Sequence, residues 1–82
     1  MTLSKATLDE LRLLSMFNPE STLAGIKVHQ TANPDDIAAT QRLYDKGLIT
    51  LVDGGYLTSL GQDAIRHLDA VTTILTTESV LD

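Results

Sequence analysis

The sequence predicts a mainly helical domain with one small β-hairpin, in the order helix, short helix, helix, hairpin, helix. Three observations lead there. Apolar residues recur at spacings of three and four in the N-terminal, central and C-terminal parts of the chain. Ahead of the last periodic segment the pattern switches to a β-branched, apolar run broken by Asp53-Gly54-Gly55. Helix-start chemistry precedes the periodic segments, and Gly47 follows one of them.

The first helix opens at Thr7-x-x-Glu10, a candidate capping box in which hydroxyl and carboxylate satisfy each other's backbone N–H groups. Ser4 is the rival cap. Leu8, Leu11, Leu14 and Phe17 then form one apolar face, and Asn18-Pro19 stops the helix because the residue before proline is pushed out of the α region. Residues 20–32 admit two readings. Ser21 can cap a short helix carrying Leu23, Ala24, Ile26 and Val28, yet Gly25 weakens a helix and Ile26-Lys27-Val28 suits a strand. The short helix is the reading taken.

Asn33-Pro34-Asp35-Asp36 starts the next helix. Asparagine caps, proline occupies the first helical position, and two carboxylates face the positive end of the macrodipole. Ile37, Thr40, Leu43 and Tyr44 form its inward stripe, Arg42 and Lys46 suit its C-terminal turns, and Gly47 closes it. Residues 48–52 and 56–58 read as the strands of a hairpin turned by Asp53-Gly54-Gly55. Ser59-x-x-Gln62, with Thr58 as rival, opens the last helix, whose inward stripe is Leu60, Ala64, Leu68, Val71 and Leu75. Residues 76–82 are expected to fray.

Composition sets the remaining bounds. With 82 residues there is room for one domain spanning 1–82, which buries only ~60% of its unfolded surface. No cysteine is present, so a disulfide framework, a cysteine zinc cluster and a thiol nucleophile are excluded. Apolar runs fall far short of the ~18 residues of a membrane span, and the charged N-terminal stretch lacks a signal core. The expectation is a cytoplasmic protein without a membrane partner. Eleven acidic against six basic residues give a formal charge of −5. A module living on phosphate contacts would need a basic stripe.

No catalytic, cofactor or metal residue is expected. His29 and His67 lack a second histidine at ligand spacing. Asp35 and Asp36 are adjacent, so on a helix they diverge by about 100° and form no acid–base pair. Ser15, Ser21, Ser59 and Ser79 have no nucleophile-elbow context, and Gly54-Gly55 lies in no phosphate-loop signature.

From Asn33 to Leu68 the chain resembles the second half of bacterial winged-helix regulators. The residues that carry the resemblance are Lys46-Gly47-Leu48-Ile49, leading into the hairpin, and Tyr56-Leu57-Thr58-Ser59-Leu60-Gly61, opening the next helix. More closely, the whole chain is similar to a small bacterial family of uncharacterised proteins, some of whose members carry loose labels as DNA-binding transcriptional regulators. The resemblance implies a winged helix-turn-helix-like fold. It also implies that the helix after Asn33 would enter the major groove beside the hairpin wing. That region departs from the pattern: Asn33 to Thr58 holds Arg42 and Lys46 against Asp35, Asp36, Asp45 and Asp53, a local charge of −2.

The expected function is therefore a non-catalytic regulatory or interaction module that binds protein, either a partner or itself. Ile65, Val71, Ile74 and Leu75 are the candidate surface, because apolar surplus on a C-terminal helix suits a symmetric dimer; Val80 and Leu81 add to that surplus. The alternative is a DNA-binding transcriptional regulator, with Lys27, Arg42 and Lys46 as its nucleic-acid contacts, a reading the local charge disfavours.

Overall fold

The computed structural model describes residues 3–17 and 25–77. Its elements in chain order are α1 (Lys5–Leu14), β1 (Ile26–Lys27), α2 (Pro34–Asp45), β2 (Ile49–Leu51), β3 (Gly54–Leu57) and α3 (Ser59–Thr76). The strands form one antiparallel sheet in the order β1-β3-β2.

This architecture overturns the expected four-helix, winged helix-turn-helix-like order. Among the described residues there are three helices and a three-stranded sheet. Where the short second helix was expected, Ile26 and Lys27 pair with Gly55 and Gly54 of β3. Ile26, β-branched and next to Gly25, gains more from a strand partner than from an isolated helical turn. Ser21, Leu23, Ala24 and the Asn18-Pro19 stop lie outside the described residues, as do Val80, Leu81 and the rest of the tail beyond Thr77.

The caps explain where the helices begin. Ser4, not Thr7, caps α1: its side chain accepts the Thr7 N–H at 3.1 Å. Thr58, not Ser59, caps α3 by accepting the Gly61 N–H at 3.1 Å. In both places the rival hydroxyl one turn or one residue upstream wins. Asn33 caps α2 as expected, accepting the Asp35 N–H at 2.8 Å, with Pro34 in the first turn.

The end of α2 is a Schellman motif. Leu48 N–H reaches the Leu43 carbonyl and Gly47 N–H the Tyr44 carbonyl, both at 3.0 Å, with Gly47 at φ 78°. Leu51 pairs with Gly54, so Val52-Asp53 is the two-residue connection and both glycines lie inside β3. Gly54 sits at φ 131°, and a Cβ there would strike the Ile26 carbonyl, which fixes how closely β1 can approach.

The core consists of Leu13, Leu14, Phe17, Ala39, Leu43, Ile49 and Ile65, with Ile26, Leu48, Leu57 and Leu68 packed against it. Several expected faces are rotated from this. In α1 the buried positions are Glu10, Leu13 and Leu14, with Phe17 buried just beyond its end, while Leu8 is exposed. In α2 Thr40 and Leu43 point inward as expected, Ala39 joins them, and Tyr44 turns out. Thr40 is satisfied by donating to the Asp36 carbonyl at 2.7 Å. The largest correction concerns α3. Its core face is Gly61, Ile65 and Leu68, and the residues expected to point inward, Leu60, Val71 and Leu75, are exposed.

Candidate functional site

Two groups of the expected site residues end in quite different surroundings. Arg42 and Lys46 do come together, but on a carboxylate. Glu10, in the middle of α1, is 7% exposed. Its carboxylate accepts from Arg42 Nε at 3.4 Å and from Lys46 Nζ. The Arg42 guanidinium also donates to the Ala6 carbonyl at 3.3 Å. Both cations are thereby used as struts between α2 and α1.

The rest of the α1–α2 seam is built from the same chemistry. Lys5 Nζ lies 2.9 Å from Asp9 and 3.1 Å from Asp35, and Arg12 pairs with Asp36 and, at 3.7 Å, with Asp9. Asp35 and Asp36 thus serve a helix N-terminus and bind the neighbouring helix at once. The hydrogen bond from Lys5, opposed by desolvation, holds the Asp9 carboxyl below its ordinary pKa. Hydrogen bonds to Asp9 and Asp35 raise Lys5, and the bond to Asp36 raises Arg12.

Adding Arg66, which pairs with Asp63 at 2.8 Å, five of the six basic side chains are engaged in ion pairs. Lys27 is the sixth. It lies on another flank of α2, lining a cleft with Ile37 and Gln41 rather than joining Arg42 and Lys46. The three expected nucleic-acid contacts therefore do not form one basic surface.

The second group lies on α3, and it divides. Ile65 is 3% exposed and belongs to the core, so it cannot contribute to a docking face. Val71, Ile74 and Leu75 are 52%, 73% and 77% exposed. Every residue from Asp69 to Thr77 is exposed, so the last two turns of α3 project beyond the core. At 1.5 Å per residue this projection is about 13 Å long.

Sequence reading missed how the threonines behave there. The Thr72 hydroxyl donates to the Leu68 carbonyl at 2.9 Å, Thr76 to Thr72 at 2.7 Å, and Thr77 to Thr73. A back-bonded threonine has its hydroxyl donor satisfied within the helix. Three of the four threonines in the exposed segment thus spend their donors on its own backbone. Between Ala70 and Thr77 it carries no charge at all.

Glu10 was also missed as a buried group, having been assigned to a capping box. A signal was present: Glu10, Leu13, Leu14 and Phe17 follow the i, i+3, i+4, i+7 spacing of a single helix face.

His29 and His67 are exposed. Among the described residues no three acidic, histidine or cysteine side chains converge as a metal-ligand set. No helix among them is long and apolar enough to cross a membrane.

Fold and surfaces define a small α+β domain with an ion-paired helical seam and a projecting C-terminal helix. The chain belongs to the family of unknown function DUF5669, whose model matches residues 1–76 and so ends with the last residue of α3. No curated protein and no solved structure matches it.

Proposed function

We propose that this chain is a non-catalytic interaction module that associates with a second copy of itself through the projecting half of α3. The observation that carries the reading is the exposure of Val71, Ile74 and Leu75 on a helical end with no core beneath it. Spacings of three and four keep such residues on adjoining faces of the helix, and Leu60, 56% exposed, extends the stripe back towards the helix start.

The contact face, rather than the net charge, favours a second copy over a charged partner. The chain carries −5, which opposes self-association at long range, so the contact has to be made on a stretch that adds no charge of its own. The stretch from Ala70 to Thr77 is such a surface, and an identical neutral apolar face is the complement it fits. A cationic partner would find no carboxylate there.

Magnitudes predict a weak dimer. Burying a whole aliphatic side chain contributes about 1.5–3 kcal/mol. Three partly exposed residues counted twice, with Leu60 in support, give on the order of 10 kcal/mol. Association costs about 4–15 kcal/mol. The lower end of that cost leaves about 6 kcal/mol, a dissociation constant of some tens of micromolar.

Sedimentation velocity across a concentration series tests this. The native chain shifts towards dimer as concentration rises, and Ile74→Glu with Leu75→Glu stays monomeric while keeping the native circular dichroism spectrum. A native chain that remains monomeric at high micromolar concentration overturns the reading.

A further inference from the structure

We propose that the cleft between α2 and the hairpin turn binds a free amino acid with a large apolar side chain, its carboxylate on Lys27 and its ammonium on Asp53. The cleft measures 810 Å³, within the roughly 300–1,000 Å³ of small-molecule sites. Three segments build it: the stretch following β1, the α2 face bearing Ile37 and Gln41, and the Val52-Asp53 turn.

The rim is held in register. Lys27 pairs with Gly54, next to Asp53, and Val28 N–H donates to the Asp53 carbonyl at 2.8 Å. Lys27 on β1 and Asp53 in the β2–β3 connection therefore line one cleft with opposite charges. Lys27 and Asp53 make no ion pair with each other or with any other described residue. Each retains its charge for a ligand.

The lining selects the ligand class. Val28, Ile37 and Val52 supply apolar lining beside the two charged residues, His29, Gln30 and Thr31 line it from the stretch following β1, and Gln41 adds a neutral donor and acceptor. With one cation and one anion the formal charge of the site is zero. A polyphosphate finds too little positive charge, and a simple anion is also opposed by the −5 of the whole chain. A zwitterion carries no net charge into that field, meets both rim groups, and buries its side chain below them.

Amide chemical shifts in a titration test the assignment, with L-phenylalanine, L-phenylalaninamide and N-acetyl-L-phenylalanine as probes. The free amino acid moves the amides of Lys27–Thr31, Gln41, Val52 and Asp53. A charge-assisted contact at a solvated rim is worth on the order of 1 kcal/mol, so blocking either end weakens binding about fivefold. Lys27→Met removes the discrimination against the amide, and Asp53→Asn removes that against the acetylated form. The cleft residues lie outside the α3 face, so the result is independent of self-association. Absence of shifts at those amides, or equal binding of all three probes, overturns the proposal.

Discussion

Lys46, just past the end of α2, places its ammonium group on the carboxylate of Glu10 in the middle of α1. The carboxylate is 9% exposed, whereas the side chains of Lys46 and Arg42 are 56% and 34% exposed. That asymmetry decides what each substitution does. Losing one cation leaves the buried carboxylate a partner, so Lys46→Met or Arg42→Met costs about 0.5–1 kcal/mol. Losing both strands the carboxylate, and the double variant loses about 3 kcal/mol, more than the sum of the singles. Urea unfolding of the four species measures the non-additivity. Additive losses would place Glu10 in contact with water.

The acid limb of stability follows from Asp9. Its folded-state pKa lies below the ordinary 3.8 because of the hydrogen bond from Lys5. The unfolded chain therefore binds the proton more readily between the two values. The contribution is fully present above 3.8 and is lost as pH falls through the lowered folded value. Lys5 behaves in the opposite sense: its contribution is full below 10.5 and is lost as pH rises through the raised folded value. Thermal unfolding of Asp9→Asn across the acid range should show a shallower fall in stability than the native chain. An unchanged slope would remove Asp9 from the seam.

Two glycines with positive φ respond differently to alanine. Gly47, at φ 78°, has open space around its missing Cβ, so Gly47→Ala meets only backbone strain, about 1 kcal/mol. Gly54→Ala adds a collision with the Ile26 carbonyl and should cost about 2–3 kcal/mol while detaching β1. Denaturant midpoints compare the two, and loss of the Lys27 and Val28 amide protection in Gly54→Ala locates the damage. Equal penalties would contradict the close approach of β1 to β3.

The end of α3 gives a kinetic signature. Residues from Asp69 onward have no core contact to hold their backbone hydrogen bonds closed, so in a lone chain their amides exchange by local fraying. Association supplies the missing contact. Exchange at Val71–Leu75 therefore slows as protein concentration rises, while Leu43 and Ile65 remain unaffected. Concentration-independent exchange along the whole of α3 would count against a second copy.

Local chemistry made much of this fold legible. Asn33-Pro34 and Gly47 bound α2 because capping and left-handed closure depend on neighbouring residues alone. The hairpin was legible from Asp53-Gly54-Gly55, although the glycines sit within β3 rather than at its turn. β1 was not, because two residues carry too little pattern and their strand state rests on β3, some thirty residues away. The faces of α1 and α3 failed for a related reason. Two stripes of the same period run along each helix, and only tertiary packing chooses between them, so Ile65 went inside and Leu60 outside. The exposed Ile74 was legible as surplus, since one small core could not hold every apolar residue of α3, whereas Val71 and Leu75 lay on the stripe that reads as inward. Placing Arg42 and Lys46 required knowing that Glu10 faces α2, which no spacing within α2 reveals.

The most direct test of the self-association account is an isotope-filtered nuclear Overhauser experiment on a mixture of labelled and unlabelled chains at high micromolar concentration. The account predicts intermolecular cross-peaks from the methyl groups of Val71, Ile74 and Leu75 to the same stretch of the other copy. Methyl groups that show only intramolecular contacts at that concentration would contradict it.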